Sequence, residues 1–242
     1  MYHLHTVDLF QINHMHYIFV INGRQDKKFI DDELTPQLEG IDISYELYHT
    51  QGEGDATRFV RIYCDFHPDD EVCFVACGGN GTLSEVVNGV IGARNKSVAM
   101  MAYGATSSFS CYFPGRNFRS VKDLVAGETI KSDVIKCNDD YSINVANFGF
   151  DSMCGYYGDM FIKEGKSKPY FRGTLKALLF SRVNNFRIIV EGKKMSRGLT
   201  MMCAVANSKY YGEFYKCAPN ALIDDGYFDV VLARFCPLLV FL

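Results

Sequence analysis

Apolar residues follow two rhythms along this chain, and the rhythm changes near residue 130. In the first part, residues 17–21 (Tyr-Ile-Phe-Val-Ile) and 72–76 (Val-Cys-Phe-Val-Ala) are continuous apolar runs. Short runs of that kind are expected for strands buried on both faces. Residues 98–102 predict another strand, and 41–48 alternate apolar with polar positions as a half-buried strand does. Between these runs, residues 29–38 place Phe29, Ile30, Leu34 and Leu38 on one side of a helix, Pro36 notwithstanding, and 56–63 and 85–91 predict two more helices. A β-α alternation of this kind argues for a parallel sheet covered by helices on both faces.

After residue 130 the segments become short and turn-rich. Residues 132–136, 141–146, 187–191, 198–206 and 227–232 predict strands, and helix is expected only around 175–181. The fold class expected is therefore α/β: a three-layer α/β/α domain over 15–130, followed by a mainly antiparallel β domain over 131–242. Residues 1–14 read as a disordered extension ahead of Met15. Two domains imply a cleft between them, and no internal repeat, Pro/Ser linker or low-complexity tract separates them.

Composition narrows the classes. The 242 residues are 48% hydrophobic, enough for real cores, and the net charge of −3 comes without any Lys/Arg block, so no nucleic-acid partner is expected. Nine scattered cysteines, an odd number with no C-x-x-C pair, read as buried free thiols of a reducing cytosol rather than as disulfides or a zinc site. No stretch reaches the roughly 20 apolar residues that span a bilayer, and His3, His5, Asp8, His14 and His16 interrupt any signal-peptide pattern. The expectation is a cytoplasmic protein.

The richest chemistry lies behind the second apolar run. Gly78, Gly79, Asn80, Gly81 and Thr82 separate that strand from a helix expected to open at Ser84. Glycines there permit positive φ and a close backbone approach to a ligand, and a helix N-terminus adds unpaired N–H donors and a partial positive charge. Such a place suits phosphate, although a lone glycine turn is as often only a turn.

With the flanks included, Gly78, Gly79, Gly81, Thr82, Leu83, Glu85, Val86, Asn88 and Gly89 fit the pattern Gly-Gly-Asp-Gly-Thr followed by Leu-Asn-Glu-Val-hydrophobic-Asn-Gly. This resembles the diacylglycerol kinase and sphingosine kinase type of lipid kinase, more distantly the NAD kinases and 6-phosphofructokinases. Asn80 stands where that family has Asp. Further blocks stand before and after it in family order. Asn22 survives from an Asn-Pro-x-Ser-Gly turn, and Thr50 with Gly54, Asp55 and Ala56 resembles Thr-x-x-x-Gly-(His or Asp)-Ala. Gly104 and Phe109 fit Pro-x-Gly-(Thr or Ser)-x-Asn-Asp-Phe, with Thr106 and Ser107 inside it, while Ser107 and Ser108 lack the carboxylate the family places there. Asp133, Asn144, Gly149 and Asp151 match a third block, and Asn207, Gly212, Pro219, Ala221, Asp225, Gly226 and Asp229 match a fourth, in which Glu213 replaces a glycine.

The resemblance implies an ATP- and Mg²⁺-dependent transfer of the γ-phosphoryl group to a diacylglycerol-like lipid. It implies nucleotide contacts from Asn22, Thr50, Gly78, Gly79, Asn80, Gly81, Thr82, Glu85, Gly104, Thr106 and Ser107. Asp225 is the expected general base, with Asn80 beside it in the catalytic set, and no metal ligand is assigned. Loss of two acids makes a weak or silent pseudokinase a second expectation, and an NAD kinase is a third. The lipid substrate implies transient docking on a membrane surface, for which Tyr156, Tyr157, Lys166, Lys168, Tyr170 and Phe171 are candidates unless they form a polar loop over packed aromatics. An exposed sheet edge or helix face would support a homodimer. The apolar tail at 236–242 ends short of the family's usual length, from which a truncated chain is expected.

Overall fold

The computed structural model describes residues 15–23, 29–103, 107–180, 187–195, 199–211 and 215–234. The extension before Met15, Gly104, Thr106, Gly212, Glu213 and the 236–242 tail lie outside the described residues. The chain divides into two compact units that meet between Lys131 and Ser132.

The first unit is built on four parallel strands, β1 (His16–Ile21), β2 (Ser44–His49), β3 (Val72–Gly78) and β4 (Lys96–Ala102), in the order β2-β1-β3-β4. Every residue of β3 is buried, as is β1 beyond His16, which is why both read as unbroken apolar runs. Tyr17, Phe19, Ile21, Cys73, Val75, Cys77 and Met101 form one core cluster with Leu34 and Leu38. The opposite-pointing set, Ile18, Val20, Phe74 and Ala76, is equally buried, and Tyr63 of the helix Asp55–Phe66 meets the Phe74 ring edge-on at 5.6 Å. Helices thus cover both faces.

Three local readings change. The helix expected over 29–38 is two pieces, a π-helix over Ile30–Leu34 and an α-helix over Thr35–Glu39. The Thr35 N–H reaches back to the Ile30 carbonyl, and this wider turn lies just before Pro36, which has no N–H to continue an α-helical ladder. The half-buried strand expected at 41–48 is shifted and exposed: β2 begins at Ser44 and lies at the sheet edge, while Ile41 and Ile43 pack against the core ahead of it. The helix expected to open at Ser84 begins four residues earlier, at Asn80, and runs to Val90.

The second unit centres on an antiparallel three-stranded sheet of β7 (Val145–Gly149), β10 (Thr200–Ala206) and β13 (Asp229–Arg234), ordered β13-β10-β7. Three two-stranded hairpins join it: β5 (Ile135–Cys137) with β6 (Asp140–Ser142), β8 (Ile189–Val190) with β9 (Lys193–Lys194), and β11 (Tyr210–Tyr211) with β12 (Tyr215–Lys216). The expectation of sparse helix is wrong here. Helices Phe150–Lys163 and Pro169–Phe180 form a packed pair. Two glycines and two aspartates hide the first of them from a propensity argument, and packing overrides propensity. A Cβ on Gly173 would lie 2.6 Å from the Gly158 nitrogen and 2.7 Å from the Cys154 carbonyl oxygen, so the two backbones touch where side chains would have kept them apart.

Candidate functional site

The order β2-β1-β3-β4 contains a reversal: the chain leaves β1 toward β2, then crosses back over β1 to β3. In open parallel sheets a crevice forms at such a reversal, outside the carboxyl ends of the strands. Here it lies between the ends of β1 and β3, and the residues that follow those ends are Asn22 and the 78–82 segment.

These residues are tied together. The Asn22 amide donates to Thr82 Oγ1 at 3.3 Å, and its backbone N–H donates to the Cys77 carbonyl at 3.2 Å. Thr50, following β2, donates its N–H to the Ile21 carbonyl and accepts the Gly23 N–H on its hydroxyl, each at 2.9 Å. The loop expected over 78–82 is shorter than its sequence suggests. Gly79 is the helix N-cap with φ −97° and ψ −165°, and the Leu83 N–H already returns to the Gly79 carbonyl at 3.2 Å. The glycines are therefore not there for positive φ, which none of Gly78, Gly79 and Gly81 adopts. Space explains them instead. A Cβ on Gly78 would lie 2.5 Å from Thr82 Oγ1, whereas a Cβ on Gly79 or Gly81 would meet nothing within 4 Å. The first-turn N–H groups of this helix have no intrahelical acceptor, and positions 79 and 81 add no side chain over them.

Asn80 is exposed, and both ends of its amide are hydrogen-bonded. Nδ2 donates to Ser108 Oγ at 2.7 Å, and Oδ1 accepts from Ser107 Oγ at 3.1 Å. Both serines are buried, and Ser107 Oγ also lies 3.1 Å from Met100 Sδ. Two residues that depart from the family pattern are thus bonded to a third. Glu85 stands apart from this group: its carboxylate accepts the Ala56 N–H at 3.1 Å and caps the helix Asp55–Phe66, while the Thr57 hydroxyl donates to its carbonyl at 2.9 Å.

The other acid beside that cap, Asp55, is buried and accepts from Arg58, from the Gln51 N–H at 2.9 Å and from the Tyr48 hydroxyl at 2.9 Å. Its carboxyl is held below the ordinary range, first by the Arg58 bond and then by the Gln51 N–H.

The open helix start suits the phosphates of a nucleotide such as ATP. A magnesium ion fits less well, because Mg²⁺ is usually held through one or two carboxylates. Asn80 has no charge, and one oxygen of the Glu85 carboxylate is bonded to the Ala56 N–H. Among the described residues no group of three His, Cys, Asp or Glu side chains could hold a metal ion.

In the second unit the register of β10 against β7 pairs Ala206 with Val145 and so brings Asn207 beside Asn144. The Asn207 N–H donates to the Asn144 carbonyl at 2.8 Å, and its amide donates to the carbonyls of Asp133 at 2.7 Å and Ile143 at 2.9 Å. Ser208 Oγ donates to Asn144 Oδ1 at 2.6 Å. Asp133 Oδ2 accepts the Gly226 N–H at 2.8 Å, and Asp225 Oδ1 accepts the Tyr227 N–H at 3.0 Å. Gly226, at φ 75°, provides the left-handed residue this turn needs. Asp225 is exposed, held by the turn it opens.

Asp151 was legible as a motif position but not as a site. It is the second residue of the helix after β7, and both of its carboxylate oxygens are shut off from solvent with no hydrogen-bond partner among the described residues. Burial raises its pKa. The nearby N–H groups of Ser152 and Asp151, the Tyr211 hydroxyl and the Asn147 amide oppose that shift without cancelling it. Burial likewise raises the Tyr211 hydroxyl, with the Asp151 charge as the next cause. Nothing in the sequence marks this environment, because β7, β10 and β11 create it together.

Comparison with known proteins agrees with this picture. The diacylglycerol kinase catalytic domain matches residues 16–137, and a YegS C-terminal NAD kinase beta sandwich-like domain matches 144–241. The chain is 27% identical over 218 residues to a diacylglycerol kinase of Staphylococcus carnosus (strain TM300), covering 88% of this chain and 70% of that protein. It is 27% identical over 215 residues to a diacylglycerol kinase of Staphylococcus aureus (strain bovine RF122 / ET3-1), covering 87% of this chain and 66% of that one. The crystal structure of a diacylglycerol kinase from Bacillus anthracis str. Sterne matches the fold with a TM-score of 0.70 at 20% identity, over 94% of this chain and 76% of that chain. With half of its length, residues 16–137, matched by that catalytic domain and the remainder following the same fold, this chain belongs to the diacylglycerol kinase catalytic domain family.

Proposed function

We propose that this protein is an ATP-dependent lipid kinase that phosphorylates the hydroxyl of diacylglycerol or a similar lipid. The observation that carries the reading is the 78–82 segment at the strand-order reversal, where Gly79 and Gly81 leave open space over a helix start. Gly78, Gly79, Asn80, Gly81 and Thr82 would hold the phosphates through backbone N–H groups, with Thr82 adding a hydroxyl and Asn22 and Thr50 bracing it. ATP supplies the phosphoryl group when bound. Asp225 is assigned as the base that takes the lipid hydroxyl proton, by its motif position and its exposure. Asp151, a buried carboxyl with unmet hydrogen-bonding capacity, suits a hydroxyl-bearing headgroup.

Access to a lipid needs a membrane-facing surface. On the helix Pro169–Phe180, Phe171, Leu175 and Leu179 repeat every four residues and are 70%, 53% and 72% exposed. Lys163, Lys166, Lys168 and Arg172 flank them. An anionic bilayer surface is the occupant this combination fits. Of the aromatic residues the sequence offered, Tyr156, Tyr170 and Phe171 are exposed, whereas Tyr157 is half-buried beneath Lys176 at 4.6 Å.

A catalytically silent nucleotide- or lipid-binding role on the same scaffold is the second reading, favoured by the neutral Asn80, Ser107 and Ser108 group. Phosphorylation assays with radiolabelled ATP and diacylglycerol, NAD or no acceptor, run side by side, separate the readings. Labelled lipid alone supports the lipid kinase, labelled NAD the NAD kinase-like alternative, and nucleotide binding without turnover the silent scaffold.

A further inference from the structure

A nucleotide-binding site can recruit its anion through a metal ion or through the protein's own donors, and the described side chains that converge at the end of this sheet are of the second kind. The described residues that converge there, Asn22, Thr50, Asn80, Thr82, Ser107 and Ser108, are uncharged. Asn80 carries the one side-chain oxygen of the helix's first position; that oxygen accepts the Ser107 hydroxyl, and the Asn80 NH₂ donates to Ser108. Ser107 is fully buried, wedged between Asn80 and the Met100 sulfur, so the amide is held from beneath by a fixed group. Glu85 is turned to the Ala56 N–H at 3.1 Å.

We propose that the first unit binds nucleoside phosphates without needing their divalent cation. The proposal rests on the reading that the 78–82 segment holds phosphate. The electrostatic reasoning is direct. A helix start offers about half a positive charge, so attraction grows with the negative charge of the ligand. Magnesium lowers that charge by two and normally repays the loss by binding a protein carboxylate. Among the described residues that converge here none presents a carboxylate, so the cation gains no compensating contact from them. An acid at position 80 would reverse both effects, repelling the bare nucleotide and offering a ligand to the metal. The two serines would survive that change, because a hydroxyl that accepts from an amide can rotate to donate to a carboxylate.

Isothermal titration of the full chain with ADP, once in EDTA and once in excess MgCl₂, tests this, with Asn80→Asp measured in parallel. The expected result is that wild type binds ADP equally within about threefold, or more tightly in EDTA, while Asn80→Asp loses at least about tenfold in EDTA and recovers with Mg²⁺. Wild-type binding that tightens more than about threefold with Mg²⁺ overturns the inference while leaving the phosphate site standing. An Asn80→Asp variant that is indifferent to the metal also overturns it. Absence of ADP binding in either condition overturns the phosphate-site reading itself.

Discussion

Gly78 and Gly79 are neighbours that should fail in different ways when a side chain is added. At Gly79 the backbone is extended and a Cβ meets nothing within 4 Å, so valine is accommodated by the protein itself. The folding cost is limited to a poorer helix N-cap, about 1 kcal/mol or less. Its side chain would stand where phosphate is expected. Displacing one charged hydrogen bond costs roughly 1.5–3 kcal/mol, or about ten- to hundredfold in affinity. At Gly78 the added Cβ would press on Thr82 Oγ1 at 2.5 Å and Thr82 Cβ at 3.0 Å. Overpacking of that kind costs roughly 1–3 kcal/mol, a fall of several degrees in melting temperature for a chain of this size. Calorimetric titration with ADP and thermal melts on Gly79→Val and Gly78→Ala separate the two effects. Gly79→Val should bind poorly and melt near wild type; Gly78→Ala should melt early. If Gly79→Val binds ADP as wild type does, or unfolds as early as Gly78→Ala, the open space at position 79 is not a phosphate site.

Further outcomes follow from the buried acids and the exposed helix face. Because the Asp55 carboxyl is depressed in the folded protein, its stabilisation is complete above the unfolded value near 3.9 and is lost as pH falls through the lower folded value. Arg58→Gln removes the largest cause of that depression, so acid unfolding followed by circular dichroism should begin at a higher pH. Asp151 has the opposite sign: its raised pKa favours the folded state below the unfolded value, and that advantage disappears as pH rises through the folded one. Asp151→Asn should therefore raise the melting temperature near pH 8 and not near pH 3, while lowering any lipid phosphorylation; equal shifts at both pH values would contradict the buried-charge account. Replacing Phe171, Leu175 and Leu179 together by serine should cut sedimentation with anionic liposomes at least about tenfold, since each buried apolar side chain is worth up to roughly 1.5–3 kcal/mol. Unchanged sedimentation would remove this helix from the docking surface.

The sequence by itself settled whatever depends on near neighbours. The unbroken apolar runs identified β1 and β3 because a strand buried on both faces needs apolar residues at every position. The glycine cluster and its flanks marked the phosphate candidate and the family, since those residues lie in one short continuous stretch, 78–89. What escaped was set by partners far along the chain. Asn80 reads as a lost acid until Ser107 and Ser108, more than 25 residues later, are seen to satisfy its amide. Glu85 reads as a ligand until the Asp55–Phe66 helix presents it with an uncapped N–H. Of the pair Phe150–Lys163 and Pro169–Phe180 only the end of the second helix was legible, because glycines are poor helix formers taken alone and become useful only when two backbones meet. Asp151 is burdened by burial that three separate strands create, and the strand order that puts Asn22 beside Thr82 is a property of the sheet. Periodicity and spacing are local quantities; which side chain relieves which polar group is decided only when packing brings distant segments together.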